Sequence, residues 1–184
     1  MMADIFLERR FDPAISTPEF FALAGQAAGC FDLYRIVWQH SMLGAGGHNC
    51  ICWFRGVDVE SVRQALRAND VDVSALWSGS VHDAPDRGEA RIARANVVVE
   101  RRFDKATSLE TIQAIEDEGA HCLEMRNVEF MRTFFSLDRR RMLCLYAAAD
   151  AESVREAQRE AGMPVEAVWS FERLDAQALR AAAG

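Results

Sequence analysis

The sequence predicts an α+β chain of two tandem ferredoxin-like βαββαβ domains. They are expected to pack sheet to sheet as an internal pseudo-dimer, in the manner of the dimeric α+β barrels. Three observations predict it. The chain matches itself at an offset of 92 residues. Each copy alternates strand and helix patterns in the order βαββαβ, the split βαβ arrangement. Two helices per copy can cover only one face of a four-stranded antiparallel sheet, which leaves the other face to be covered by a partner or a ligand.

The repeat is plain in the residues. Glu8-Arg9-Arg10-Phe11-Asp12 returns as Glu100-Arg101-Arg102-Phe103-Asp104, and Trp77-Ser78 returns as Trp169-Ser170. Cys30 and Cys52 fall on Cys122 and Cys144. Between 4–83 and 96–175, aligned without gaps, 23 of 80 positions are identical. Two copies are too few for a solenoid, which needs three or more repeats. The expected organisation is a first repeat over 1–82, a linker over 83–95, a second repeat over 96–175 and a tail over 176–184. The linker assignment rests on Pro85, Gly88 and alternating charges.

The elements follow in order. Residues 4–11 and 96–103 alternate as strands. Phe20, Leu23, Ala24, Ala27 and Phe31 recur at helical spacing, as do Leu109, Ile112 and Ile115 after a cap at Ser108. Residues 33–43 and 48–55 are aromatic and β-branched and flank Gly44-Ala45-Gly46-Gly47, a hairpin signal. A second helix starts at the capping carboxylates Asp58 and Asp150. Residues 73–81 and 165–172 close each copy as strands. On the first strand Phe6, Glu8 and Arg10 share one face, and Ile5, Leu7, Arg9 and Phe11 share the other.

Composition narrows the partners. The formal net charge of −7 opposes binding to nucleic acid or an anionic membrane surface, both of which need a basic footprint. No apolar run approaches the about 20 residues of a membrane span, and the N-terminus lacks a signal-peptide core. The expected location is the cytoplasm, and five cysteines suit a reducing compartment.

Two constellations carry chemistry. Glu8 and Arg10 with Glu100 and Arg102 offer four charges that could surround one cleft and bind a carboxylate or polarise a small substrate. The structural alternative is that they dock the two copies. Trp38 is a candidate lining residue for an apolar pocket. Cys50 and Cys52 share one strand face, roughly 7 Å apart at the backbone. His40 lies across the hairpin, so the three make a candidate site for nickel, copper or zinc. Buried cysteines acting as small hydrophobes are the structural alternative. The second copy has Arg132 and Met142 at the His40 and Cys50 positions, so any such site belongs to the first copy alone. His82 is expected at the edge of the solvated linker.

In the second copy, Arg132-Thr133-Phe134-Phe135, Asp138, Leu143-Cys144-Leu145-Tyr146-Ala147 and Ala161-Gly162-Met163-Pro164 form a pattern that resembles domain-of-unknown-function family 4242. The resemblance implies a ferredoxin-like fold dimerising through its sheet, with nickel binding in some members. His40-Ser41 keeps a family pair that Arg132-Thr133 does not. The expected function is binding of a small molecule or transition metal such as nickel, by an intramolecular pseudo-dimer or a homodimer of it. No nucleophile elbow, P-loop or dinucleotide motif is present. The rival is an enzyme built like the α+β barrel monooxygenases and isomerases, acting on an apolar molecule.

Overall fold

The computed structural model describes residues 2–85 and 87–182. The chain forms an α+β fold of antiparallel strands and helices, in two compact units: residues 1–79 with 172–184, and residues 80–171.

The first unit opens with β1 (Ala3–Arg10) and α1 (Thr17–Leu33). A capping box starts α1: the Ser16 hydroxyl accepts from the Glu19 amide, and the Glu19 carboxylate accepts from the Ser16 amide at 2.7 Å. The hairpin strands β2 (Val37–Gly44) and β3 (Asn49–Gly56) follow. Their turn needs Gly47, whose φ is +72° and where a Cβ would fall 2.4 Å from the Ile15 carbonyl oxygen. Asp58 caps α2 (Val59–Arg67), and β4 (Ala75–Asp83) completes the order. Hydrogen bonding arranges the sheet as β4-β1-β3-β2.

The segment expected as a linker is partly ordered secondary structure. It holds α3 (Glu89–Ile92), Ile92 is buried, and the Ala84 amide donates to the Met131 carbonyl. Because β4 runs on to Asp83, His82 is a strand residue, its Nε2 2.7 Å from the Ser80 hydroxyl.

The second unit repeats the order with β5 (Val97–Arg102), α4 (Leu109–Glu118), α5 (Ala120–Met125), β6 (Glu129–Ser136), β7 (Arg141–Ala147), α6 (Ala151–Glu160) and β8 (Ala167–Leu174). Its sheet runs β8-β5-β7-β6. The single helix expected after Ser108 is broken at Gly119 into α4 and α5. A Cβ on Gly119 would stand 2.3 Å from the Cβ of Ala161, so this break brings the chain close to the end of α6. The tail begins as α7 (Ala176–Ala182), and Ala178 and Leu179 pack on the first unit's core.

In each unit alternate residues of the first strand turn to the helices. Ile5 and Leu7 join Phe20, Val62, Ala65 and Leu66 in one core; Val97 and Val99 join Ile112, Val154 and Ala157 in the other.

Candidate functional site

The helix-facing side of the first unit's sheet carries the site. β1, β2 and β3 bring Arg9, Ser41, Cys50 and Cys52 together by cross-strand register: Arg9 lies opposite Cys50, and Ser41 lies opposite Cys52. The two thiols stand 3.7 Å apart and are almost wholly buried. The thiol contact from Cys50 holds Cys52 below the ordinary cysteine range, with Ser41 adding to it. The same contact, with burial, pushes Cys50 well above it. The first proton therefore leaves from a shared thiol pair, and the second is held more tightly.

A pocket of about 230 Å³ opens beside this cluster, between α1, the end of α2 and the sheet. Its walls are mainly apolar, with Leu7, Phe20, Ala24, Phe31, Trp38 and Phe54 among them, while Arg9, Ser41 and Cys52 supply polarity. Gln26, Asp32 and Asp70 are exposed lining residues. Arg9 is half-buried. Its Nε donates to the Asp72 carbonyl at 3.2 Å, and its guanidinium lies 4.6 Å from the centroid of the Phe11 ring. The Trp38 indole donates to the Ser41 hydroxyl at 3.0 Å.

The candidate metal trio is not brought together. His40 is buried, but it lies opposite Trp53 and meets that ring edge-on at 5.3 Å between centroids. The reason is a β-bulge between Trp38 and His40. Without it, unbroken pairing from Trp38–Phe54 would set His40 opposite Cys52. The extra residue moves His40 to Trp53 and hence to the other face, because side chains alternate with period two. Ser41 takes the place beside the thiols. Among the described residues, no three His, Cys, Asp or Glu side chains gather as metal ligands.

The charged candidates divide likewise. Glu8 accepts from the Trp77 indole at 2.8 Å, and Glu100 accepts from the Trp169 indole at 2.6 Å. Each repeated glutamate thus orients the tryptophan of its own unit. Arg10 is exposed and donates to Asn49, while Arg102 is exposed and pairs with Glu166. Trp38, grouped with these by sequence, faces the helices instead and lines the pocket.

The structure adds a residue that sequence reasoning missed. In the second unit Arg101, the counterpart of Arg9, is 1% exposed. It donates to the Pro164 carbonyl at 2.6 Å, to Gln158 at 2.8 Å and to the Tyr146 hydroxyl at 3.3 Å. Burial pushes the Tyr146 hydroxyl up, so it stays protonated. Burial likewise raises Glu116, while the positive charge of Arg101 pulls it back down. The signal was available: Arg101 shares the face of Val97 and Val99, and Gln158 replaces the apolar Leu66.

Comparison with known proteins places these features in a fold. Residues 98–170 match the family described as "Nickel responsive protein SCO4226-like". No curated protein matches the chain. Among solved structures, the chlorite dismutase-like protein TA0507 superposes with a TM-score of 0.56 at 11% identity, over 98% of this chain and 97% of that one. A chlorite dismutase variant from Candidatus Nitrospira defluvii superposes with a TM-score of 0.53 at 12% identity, over 100% of this chain and 95% of that one. At such identities the likeness is one of fold. Among the described residues, no helix is long and apolar enough to cross a membrane.

Proposed function

We propose that the protein binds a small, largely apolar molecule in the first unit, between α1 and the sheet. One observation carries this reading: an apolar pocket of about 230 Å³ with a half-buried arginine among its lining residues. An apolar cavity of ~150 Å³ is enough for a benzene-sized guest, so a one- or two-ring molecule fits here. The combination of apolar walls and few polar groups is the usual form of a small-molecule site. Arg9 and Ser41 favour a guest with one acceptor or anionic group at one end, which a guanidinium binds well.

A second reading, nickel binding, has the match of residues 98–170 in its favour. The side chains of that segment do not supply a fitting donor set. Cys144 is buried against Thr133, and the contact between His121 and Cys122 at 3.4 Å offers two donors. Nickel prefers a fuller shell of nitrogen, oxygen or sulfur ligands, so no step is assigned to it. The similarity to chlorite dismutase-like structures brings no reaction with it, and an enzymatic role has no observation of its own here.

The test is titration with 2-naphthoate, a bicyclic aromatic carboxylate, followed by the fluorescence of Trp38. Saturable quenching is expected in the parent. Ala24→Leu, which fills the pocket, should abolish it, and Trp38→Phe should remove the signal while calorimetry still detects binding. Equal binding by the parent and Ala24→Leu would overturn the reading.

A further inference from the structure

We propose that Cys50 and Cys52 form a dithiolate site for a soft monovalent metal ion of the cuprous class. The site adjoins the pocket, and its donors are the two thiols rather than any group of a bound guest.

Geometry makes the first argument. Residues two apart on a strand project to the same face, and here the sulfurs converge to 3.7 Å. Two thiolates bound at about 2.3 Å to one ion stand about 3.8 Å apart at a bent, tetrahedral-like angle and about 4.6 Å apart when a two-coordinate ion lies in line between them. The pair can therefore clasp a single ion once the side chains spread by under about 1 Å. Cys52 also lines the pocket, which provides an approach.

Charge makes the second. Two bare thiolates in a buried position would be costly. A monovalent ion leaves one negative charge, and Arg9, opposite Cys50 in register, supplies one positive charge. A divalent ion would leave the cluster one positive charge in excess. Loading is simple exchange: Cu⁺ and two thiols give a Cu–S₂ unit, and two protons leave to solvent. No electron is transferred.

Donor softness makes the third. Thiolates select cuprous ions over harder divalent ones. The nearby histidine that would suit nickel, His40, lies on the other sheet face. The second unit acts as an internal control. Met142 stands where Cys50 does, Cys144 is a single buried thiol, and Arg101 is engaged by Pro164, Gln158 and Tyr146.

The experiment is anaerobic competition between tag-free full-length protein and bicinchoninate for Cu⁺, with proton release measured alongside. The parent should withdraw one ion per chain and release two protons. Cys50→Ser and Cys52→Ser should each weaken binding about a hundredfold or more, and Arg9→Met about tenfold, as loss of a supporting partner does. Cys144→Ser should change nothing. X-ray absorption of the loaded parent should show a sulfur-only shell, which keeps the test valid if a serine variant folds poorly. A parent that cannot compete, a nitrogen-rich shell, or undiminished binding in both folded serine variants would overturn the proposal. Because 2-naphthoate binding is read separately, failure of the ion site and failure of the pocket reading are distinguishable.

Discussion

The two units start from one repeated pattern and treat the space beneath their helices in opposite ways. In the first, α1 runs unbroken from Thr17 to Leu33, and small residues such as Ala24 and Ala27 line an open pocket. In the second, the matching positions are Glu116 and Gly119. The helix breaks at Gly119, closes on Ala161, and the interior is filled by Arg101 with Tyr146 and Gln158. Phe54 and Leu66 of the first unit correspond to that tyrosine and glutamine. Four substitutions thus accompany the change from a half-exposed arginine beside a pocket to a buried one within a polar network. The two units share their strand order and differ in whether the space between helices and sheet is open or filled.

The sharpest way to break this comparison is at the two arginines. Arg101→Ala should cost about 3–5 kcal/mol, because it strands buried polar partners and opens a cavity. Arg9→Ala should cost under about 1 kcal/mol, mostly its contact with the Phe11 ring. Urea unfolding of both variants measures the difference, and equal losses would mean that Arg101 is no structural plug.

A smaller effect is expected at the helix break. Gly119→Ala should destabilise by about 1–3 kcal/mol through overpacking, since its Cβ would stand 2.3 Å from that of Ala161. Adding Ala161→Gly should recover most of the loss. Without such recovery, the close approach would not be the cause.

Where the units are alike, they should respond alike. Asp58 and Asp150 each accept from an amide three residues on, at 2.7 Å in both cases. Replacing either with Ala should destabilise the chain modestly and to the same extent, as the loss of an N-cap does. The cap hydrogen bonds hold both carboxylates below their ordinary range. Their contribution is therefore present above the ordinary aspartate pKa and lost as pH falls through the depressed folded value. Thermal melts of the two variants should shift by similar amounts.

The smallest effect separates the units again. Glu116 is raised in the folded state by burial. The folded chain thus binds its proton more tightly, so its stability is greatest below the ordinary glutamate pKa and declines as pH rises through the folded value. Glu116→Gln should flatten the stability profile across that window. Ala24→Gln, at the matching place in the first unit, should leave the slope unchanged.

Much of the architecture was legible in the chain itself. The repeated Glu-Arg-Arg-Phe-Asp, the caps at Asp58 and Asp150 and the alternation of Ile5, Leu7 and Arg9 against Phe6, Glu8 and Arg10 are local signals, and local geometry translates them directly into order and facing. The site was less legible. Cys50 and Cys52 share a face by their spacing alone, and they converge as that spacing requires. Which residue stands beside them depended on a bulge between Trp38 and His40, and one inserted residue reverses every facing beyond it. The sequence determined by itself the repeat, the element order and the face of each β1 residue, because period-two and period-3.6 patterns need only near neighbours. Only the tertiary structure decided that Ser41 rather than His40 meets the thiols, that Trp38 lines the pocket, and that Arg101 is buried where Arg9 is not. Those outcomes depend on strand register and on how closely helices approach the sheet, and both are set by contacts between residues far apart in the chain.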